Sequence, residues 1–328
     1  MTFVPIVLFF VLGIVAGLSK SDLKIPSAIY DAISIYLLLA IGLKGGVELS
    51  KYPLGPLLAD AVWVLLAGMT IPLLAFPVLK YLGRLSHYDS ASIAAHYGSV
   101  SVVTFSVATS FLAERGLDHD GFMVVYLVLL EMPALIIGVV LARMGDAPEP
   151  ALAGRPAPRT GLAAIRWGKL MHEVFFGKSI LLLAGGLLIG FVAGPKGFEP
   201  MTPLFGDLFK GMLAFFLLEM GLVAASRIAG FRNYGAFLVL FAIGMPVVSA
   251  AIGIVVSRYV GFSEGNAVLL ATLFASASYI AAPAAMRIAV PQANPALSIG
   301  AALGVTFPFN LFVGIPIYVW MAHRFMSA

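Results

Sequence analysis

Apolar runs closed off by charge, proline or glycine recur along this chain, near residues 3–18, 26–43, 56–80, 92–113 and 121–142, then near 178–195, 203–225, 235–258, 263–286 and 296–322. An apolar run of about 20 residues has the length to cross a bilayer as a helix. With 61% hydrophobic and 11% charged residues over a length of 328, a water-soluble fold would leave far too much apolar surface exposed. The sequence therefore predicts an all-α integral membrane protein of about ten transmembrane helices. The N-terminal run, apolar from Phe3 to Leu18 with Lys20 and Lys24 after it, is expected to be a retained first span and not a targeting peptide.

The predicted spans fall into two sets. Residues 144–177, with GDAPEPALAGRPAPRT near their start, read as a cytoplasmic linker followed by a surface helix. They divide a first repeat, 1–143, from a second, 178–328. Tyr97-Gly98-Ser99-Val100-Ser101-Val102-Val103 superposes on Phe274-Ala275-Ser276-Ala277-Ser278-Tyr279-Ile280 at an offset of 177, and Leu37–Leu43 on Phe216–Leu222 at 179. Repeats with an odd number of spans insert upside down relative to each other, which predicts inverted-topology symmetry. Lys and Arg weight one set of loops, 13 of the 20, when the linker is placed in the cytoplasm. That bias predicts both termini outside a cell (inner or plasma) membrane.

Polar groups inside spans are costly and mark candidate function. The fourth predicted span carries His96, Ser99, Ser101, Thr104 and Ser106, and the ninth carries Ser276, Ser278 and Tyr279 ahead of Pro283. A lone serine in a helix bonds back to its own preceding turn. Matched Ser-x-Ser pairs, one beside a proline, instead predict broken fourth and ninth helices whose free peptide groups and hydroxyls bind a solute between them. Glu131 and Glu219, within the fifth and seventh spans, require a cation, a partner or a proton. His96 is expected near the cytoplasmic start of its span, in an interfacial or packing role. Trp63, Trp167 and Trp320 read as interface anchors, and Gly42, Gly45 and Gly46 either let backbones approach closely or end the second helix, the latter reading being preferred beside Lys44.

The absence of cysteine excludes thiolate metal sites and cysteine nucleophiles. No HExxH pair, Walker loop or GxSxG elbow is present, so no catalysis, no cofactor and no resident metal are expected. The net charge of +4 is read as orientation and not as nucleic-acid binding.

The segments IGLKGG (Ile41–Gly46), YGSVSVVT (Tyr97–Thr104), EMPAL (Glu131–Leu135), PLF (Pro203–Phe205), SRI (Ser226–Ile228), and SASYIAAP with PQANP between Ser276 and Pro295 carry a resemblance. They resemble the sodium-dependent bicarbonate transporter family known from cyanobacteria, the SbtA-type permeases, nearly end to end. The resemblance implies ten spans in two inverted five-helix repeats, a core domain moving against a gate domain, and a homotrimer in membrane lipid. It implies a small-anion site at Ser99, Ser101, Thr104, Ser276, Ser278 and Tyr279, and a coupling sodium ion near Glu131, Ser101 and Ser278. A PII-like regulatory protein is a family partner, though this linker is shorter than the family's. The ninth-span pattern reads roughly SSSDISGPP in the family. Here Tyr279 stands at the acidic position, Ala277 and Ala281 replace hydroxyls, and Val102-Val103 replace a Gly-Ser pair. The pocket is accordingly less charged. Two alternatives follow: another small solute or carboxylate moved with a proton through Glu131 or Glu219, or a solute-binding membrane sensor without net flux.

Overall fold

The computed structural model describes residues 5–145, 165, 167–228 and 235–326, and these are helical with no strand among them. In chain order the elements are α1 (Pro5–Leu18), α2 (Ser27–Leu49), α3 (Leu54–Pro77), α4 (His87–Gly98), α5 (Val102–Glu114) and α6 (Met123–Arg143). After them come α7 (Trp167–Phe176), α8 (Lys178–Phe198), α9 (Phe209–Ile228), α10 (Gly235–Val260), α11 (Glu264–Ala275) and α12 (Ala281–Ala289). The chain ends with α13 (Pro295–Ala301), α14 (Phe307–Phe309) and α15 (Ile315–Met326), joined through π-turns at Ala302–Thr306 and Asn310–Gly314. Eight helical stretches among the described residues are long and apolar enough to cross a membrane, and two shorter apolar helices, α1 and α11, accompany them. The architecture is that of an all-α, multi-pass membrane protein. Most of the predicted linker, and with it Arg155, Arg159, Arg166 and Arg232 of the charge bias, lies outside the described residues. The surface helix expected after it is α7, which buries Leu170 and Val174 and exposes Trp167, Phe175 and Phe176.

Two bundles make up the fold. In the first, α1 packs on α9 and α2 on α8, with α2 also against α9. The second holds the remaining spans, with α4 between α3 and α6, and α11 between α10 and α15. Polarity dictates this layering. The span from His87 to Glu114, richest in hydroxyls, is buried along its length, whereas α3, α8 and α10 turn Leu58, Leu66, Leu188, Val192, Leu240 and Val255 outward. Apolar side chains facing lipid cost nothing, and polar spans must be sheathed by other helices.

Glycine sets the spacing in the first bundle. The expected helix end at Gly42–Gly46 is not there: α2 continues to Leu49. A Cβ on Gly42 would stand 2.5 Å from the Leu183 carbonyl oxygen of α8, and one on Gly46 would stand 2.0 Å from that of Leu187. Gly13 and Gly221 bring α1 and α9 together in the same way. Without a hydrophobic driving force between helices in lipid, such close backbone approach is what holds helix pairs.

In the second bundle, paired capping and side-chain ties hold the helix ends. Ser86 accepts from Asp89 N at 3.0 Å to start α4, and Ser263 accepts from Asn266 N at 3.3 Å to start α11. Asp89 then accepts from Asn294 N at 2.7 Å, while Asn266 Oδ1 accepts from Asp120 N at 2.8 Å. The second tie is extended by Tyr52, in the turn between α2 and α3, whose hydroxyl donates to Asp120 Oδ1 at 2.5 Å. That bond, with burial, pushes the Tyr52 phenol up to about 12.

Two outcomes are expected. Gly46→Ala lowers the detergent melting temperature, since overpacking costs about 1–3 kcal/mol. Gly185→Ala, with no atom within 4 Å of the added Cβ, is neutral or stabilising. Tyr52→Phe destabilises the protein at pH 8. Because the folded phenol titrates above the ordinary value near 10, the wild-type advantage is complete below about pH 10 and fades toward pH 12, as thermal unfolding of both proteins across that range will show.

Candidate functional site

The fourth and ninth spans break where the Ser-x-Ser elements stand. α4 ends at Gly98, Ser99 and Ser101 are extended, and α5 starts from Ser101, whose Oγ accepts from Thr104 N at 3.2 Å. α11 ends at Ala275, Ser276 is extended, and α12 starts after Ile280, with Ser278 Oγ accepting from Ala282 N at 3.2 Å. The two breaks pack against each other. Ser101 N donates to Ser276 Oγ at 2.8 Å, and Ser278 N donates to the His96 carbonyl at 2.8 Å. Breaking a helix at this depth strands peptide groups that no water can satisfy, and each break serves the other.

Side chains from neighbouring helices complete the accounting. Ser276 Oγ also donates to Leu273 O at 2.8 Å, and Ser99 Oγ to Glu131 O at 3.3 Å. Asn310, in the second π-turn of the last span, donates from Nδ2 to Ala275 O at 3.0 Å, and its Oδ1 accepts from Tyr318 at 2.6 Å. In the first π-turn, Thr306 donates to Ala242 O at 2.7 Å, so Tyr97 donates to Thr306 at 2.6 Å. These residues were not anticipated from the sequence. Asn310 carried the one available signal, a polar amide within an apolar span.

Between the breaks lies a small cavity of about 10 Å³, roughly room for one water-sized occupant. Its walls are Val100, Ser101, Val102, Glu131, Ser179, Ser278, Tyr279 and Ile280. The N-termini of α5 and α12 therefore both border it, bringing two partial positive charges to the same space. Glu131 is 2% exposed and its Oε2 has no hydrogen-bond partner. The Tyr279 hydroxyl is within electrostatic reach of Ser101 but completes no hydrogen bond, and its ring packs edge-on against Phe307 at 5.3 Å. The Glu131 oxygen can accept a proton or face a cation, and the Tyr279 hydroxyl can donate or accept, so the cavity offers both kinds of partner to a polar occupant.

Of the residues singled out beforehand, the structure brings Ser101, Ser278, Tyr279 and Glu131 to this cavity. Ser99, Ser276 and Thr104 are buried beside it but do not line it, and the hydroxyls of Ser99 and Ser276 are engaged in holding the breaks. Ser179, in the first turn of α8, lines it without having been foreseen. Glu219 does not line the cavity; it stands on α9 within electrostatic range of Tyr30, with its Oε2 buried and without a hydrogen-bond partner. His96 corrects an expectation. α4 begins at His87, so His96 falls in its last turn and not at the start of the span, and at 1% exposed it takes the packing place that was one of the two expected. Its Nδ1–H donates to Ser92 O at 2.7 Å, leaving Nε2 unpartnered beside a second water-sized cavity near Pro283 and Arg287.

Ser276→Ala leaves the buried Ser101 N–H without its acceptor and is expected to cost about 1–3 kcal/mol. Ser106→Ala, which removes only a bond back to Val102 O at 2.8 Å, serves as the near-neutral comparison. Unfolding of both variants in detergent checks the difference.

Compared with known families, residues 5–323 match the family described as the Na+-dependent bicarbonate transporter superfamily. No curated protein matches the chain.

Proposed function

The chain belongs to the Na+-dependent bicarbonate transporter superfamily, and from that premise we propose that it moves a small anion, bicarbonate first among the candidates, into the cell with sodium. The observation that carries this reading is the crossing itself: two half-helix N-termini and the unsatisfied Glu131 carboxylate meet at one closed cavity. A sodium ion is close to water in size and takes hard oxygen donors. Glu131, Ser101 and Ser278 offer these, together with the carbonyls freed at the breaks. Bicarbonate is larger than the cavity, so it binds against the ion only when the bundles shift and the crossing opens, with the amides of α5 and α12 facing its charge.

The inverted five-helix repeat is part of the proposal. Ser86 and Ser263, Ser101 and Ser278, and Asp89 and Asn266 are each 177 positions apart and play like structural roles. The pairing of α1 with α9 and of α2 with α8 is what an inverted repeat would generate. On this reading α1, α2, α8 and α9 form the gate, and the bundle holding the breaks is the core that moves.

One feature favours a second reading. Tyr279 stands at the acidic position of the family pattern, leaving Glu131 as the single carboxylate on the cavity. A proton on Glu131 would remove its charge as sodium would, giving proton coupling and a different small solute.

Uptake of labelled bicarbonate into proteoliposomes at fixed pH, with and without an inward sodium gradient, decides between them. Sodium-driven accumulation that falls on the order of tenfold in Ser101→Ala and in Ser278→Ala, a loss of about 1.4 kcal/mol, is the expected result. Accumulation driven by a pH gradient and indifferent to sodium selects the proton reading. Solute binding by folded protein without flux makes the chain a sensor.

A further inference from the structure

We propose that a large cavity between the two bundles is an anion-collecting antechamber and that Lys44 is its working charge. The cavity measures about 550 Å³, within the size range of small-molecule sites, whereas the crossing admits only a water-sized occupant. One wall is α2, with Ile41, Lys44 and Gly45. The facing wall is α5, with Phe105, Ser106 and Thr109. Phe105 and Ser106 lie one turn from the capping Ser101, so the cavity reaches to the start of α5.

Lys44 sits inside a membrane-spanning helix, more than a turn from its end at Leu49, and is half-buried. A cation in that position calls for a carboxylate, and among the described residues none lies within ion-pair distance. Glu48 is held by Lys51 at 2.6 Å, and Asp120 by Tyr52 and Asn266. Asp207 and Lys210, both exposed at the rim, act on Lys44 from a distance with opposite signs. Its close contact is the Phe209 ring, 4.1 Å from the ammonium to the ring centroid. An aromatic face attracts the charge without neutralising it and leaves ammonium protons free.

The rest of the inner wall cannot do this work. Ser106, Thr109 and Ser110 each donate to a carbonyl of their own helix, so they turn lone pairs, not protons, to the cavity. Besides Lys44, the charged or titratable donors on the cavity are His119 and the exposed Lys210; of the carboxylates that also line it, Glu48 and Asp120 are already engaged and Asp207 is exposed. A small oxyanion entering from this side passes Lys210 at the rim and meets Lys44 deeper in, on the wall facing Phe105 and Ser106. The claim rests on the transport reading for the identity of the solute, but the electrostatic part stands without it.

Because the chain contains no cysteine, Thr109→Cys places a single thiol in the cavity of the full-length protein. Its labelling rates with a negatively charged sulfonate and a positively charged trimethylammonium methanethiosulfonate are compared as a ratio, which cancels the thiolate fraction. A unit charge some 8 Å away through water changes each reagent's local concentration by about twofold, in opposite directions. Adding Lys44→Met is therefore expected to lower the anionic-to-cationic ratio by about fourfold, and Lys44→Arg to restore it. Bicarbonate slows labelling when Lys44 is present and not in Lys44→Met. An unchanged ratio overturns the proposal, because Lys44 then extends its charge to the membrane surface and leaves the cavity neutral. Failure of Thr109→Cys to react with either reagent overturns it too. A lowered ratio without protection by bicarbonate upholds the antechamber and tells against bicarbonate as the solute.

Discussion

Peptide groups freed at the depth of a membrane have no water to turn to, and the second bundle is arranged around that constraint. A helix that stops at Gly98 or at Ala275 strands carbonyls behind the break and N–H groups ahead of it. The two breaks are laid against each other so that Ser101 N reaches Ser276 and Ser278 N reaches the carbonyl of His96. Asn310 closes the remaining carbonyl of Ala275. Its reach depends on the π-turn that carries it, since a wider turn displaces a side chain from the regular helix track. Burial of α4 and α11 on every side follows, because a half-satisfied break facing lipid would be untenable.

The first bundle answers a different problem. α8 kinks at Gly194 before Pro195, near its end, and close backbone contact is joined by the ion pair of Lys178 on α8 with Asp31 on α2 at 2.9 Å. Gly13 with Gly221, and Gly42 and Gly46 with α8, bring backbones close enough for dispersion to act along whole helix faces. On the proposed transport reading, a bundle knit this way would move as a unit. The seam between it and the polar bundle holds the 550 Å³ cavity and carries the unpaired Lys44, so the loosest packing lies where relative motion would occur.

Much of this was legible in the sequence because it was local. Ser-x-Ser at a constant offset announced the breaks, and the cost of a carboxylate inside a span marked Glu131. What the sequence concealed was set by partners distant along the chain. Glycines beside a lysine, as at Gly42 to Gly46, read locally as a helix end, and only the backbone of α8 fitted against them shows that they are a contact face. Ser99, Ser101, Ser276 and Ser278 look alike in the chain. Their division into two that tie the breaks and two that face the cavity arises from the crossing geometry. Ser179 has no serine 177 positions before it and so gave no signal. The position of His96 was misjudged because the cap at Ser86 begins α4 a turn and a half before the apolar run does.

Charge at the crossing constrains how the proposed cycle works. Glu131 contributes one negative charge when ionised, and no basic side chain lines the cavity. The N-termini of α5 and α12 bring roughly half a positive charge each. Together they about match Glu131 alone, so an anion arriving then would face an uncompensated excess of negative charge. One sodium ion or one proton on Glu131 removes that excess and leaves the two helix ends free to balance one monovalent anion. In the proposed cycle, coupling would follow from the electrostatics of a single buried carboxylate between two helix ends. Tyr279 adds no charge to this balance, whereas a carboxylate at that position would call for another cation.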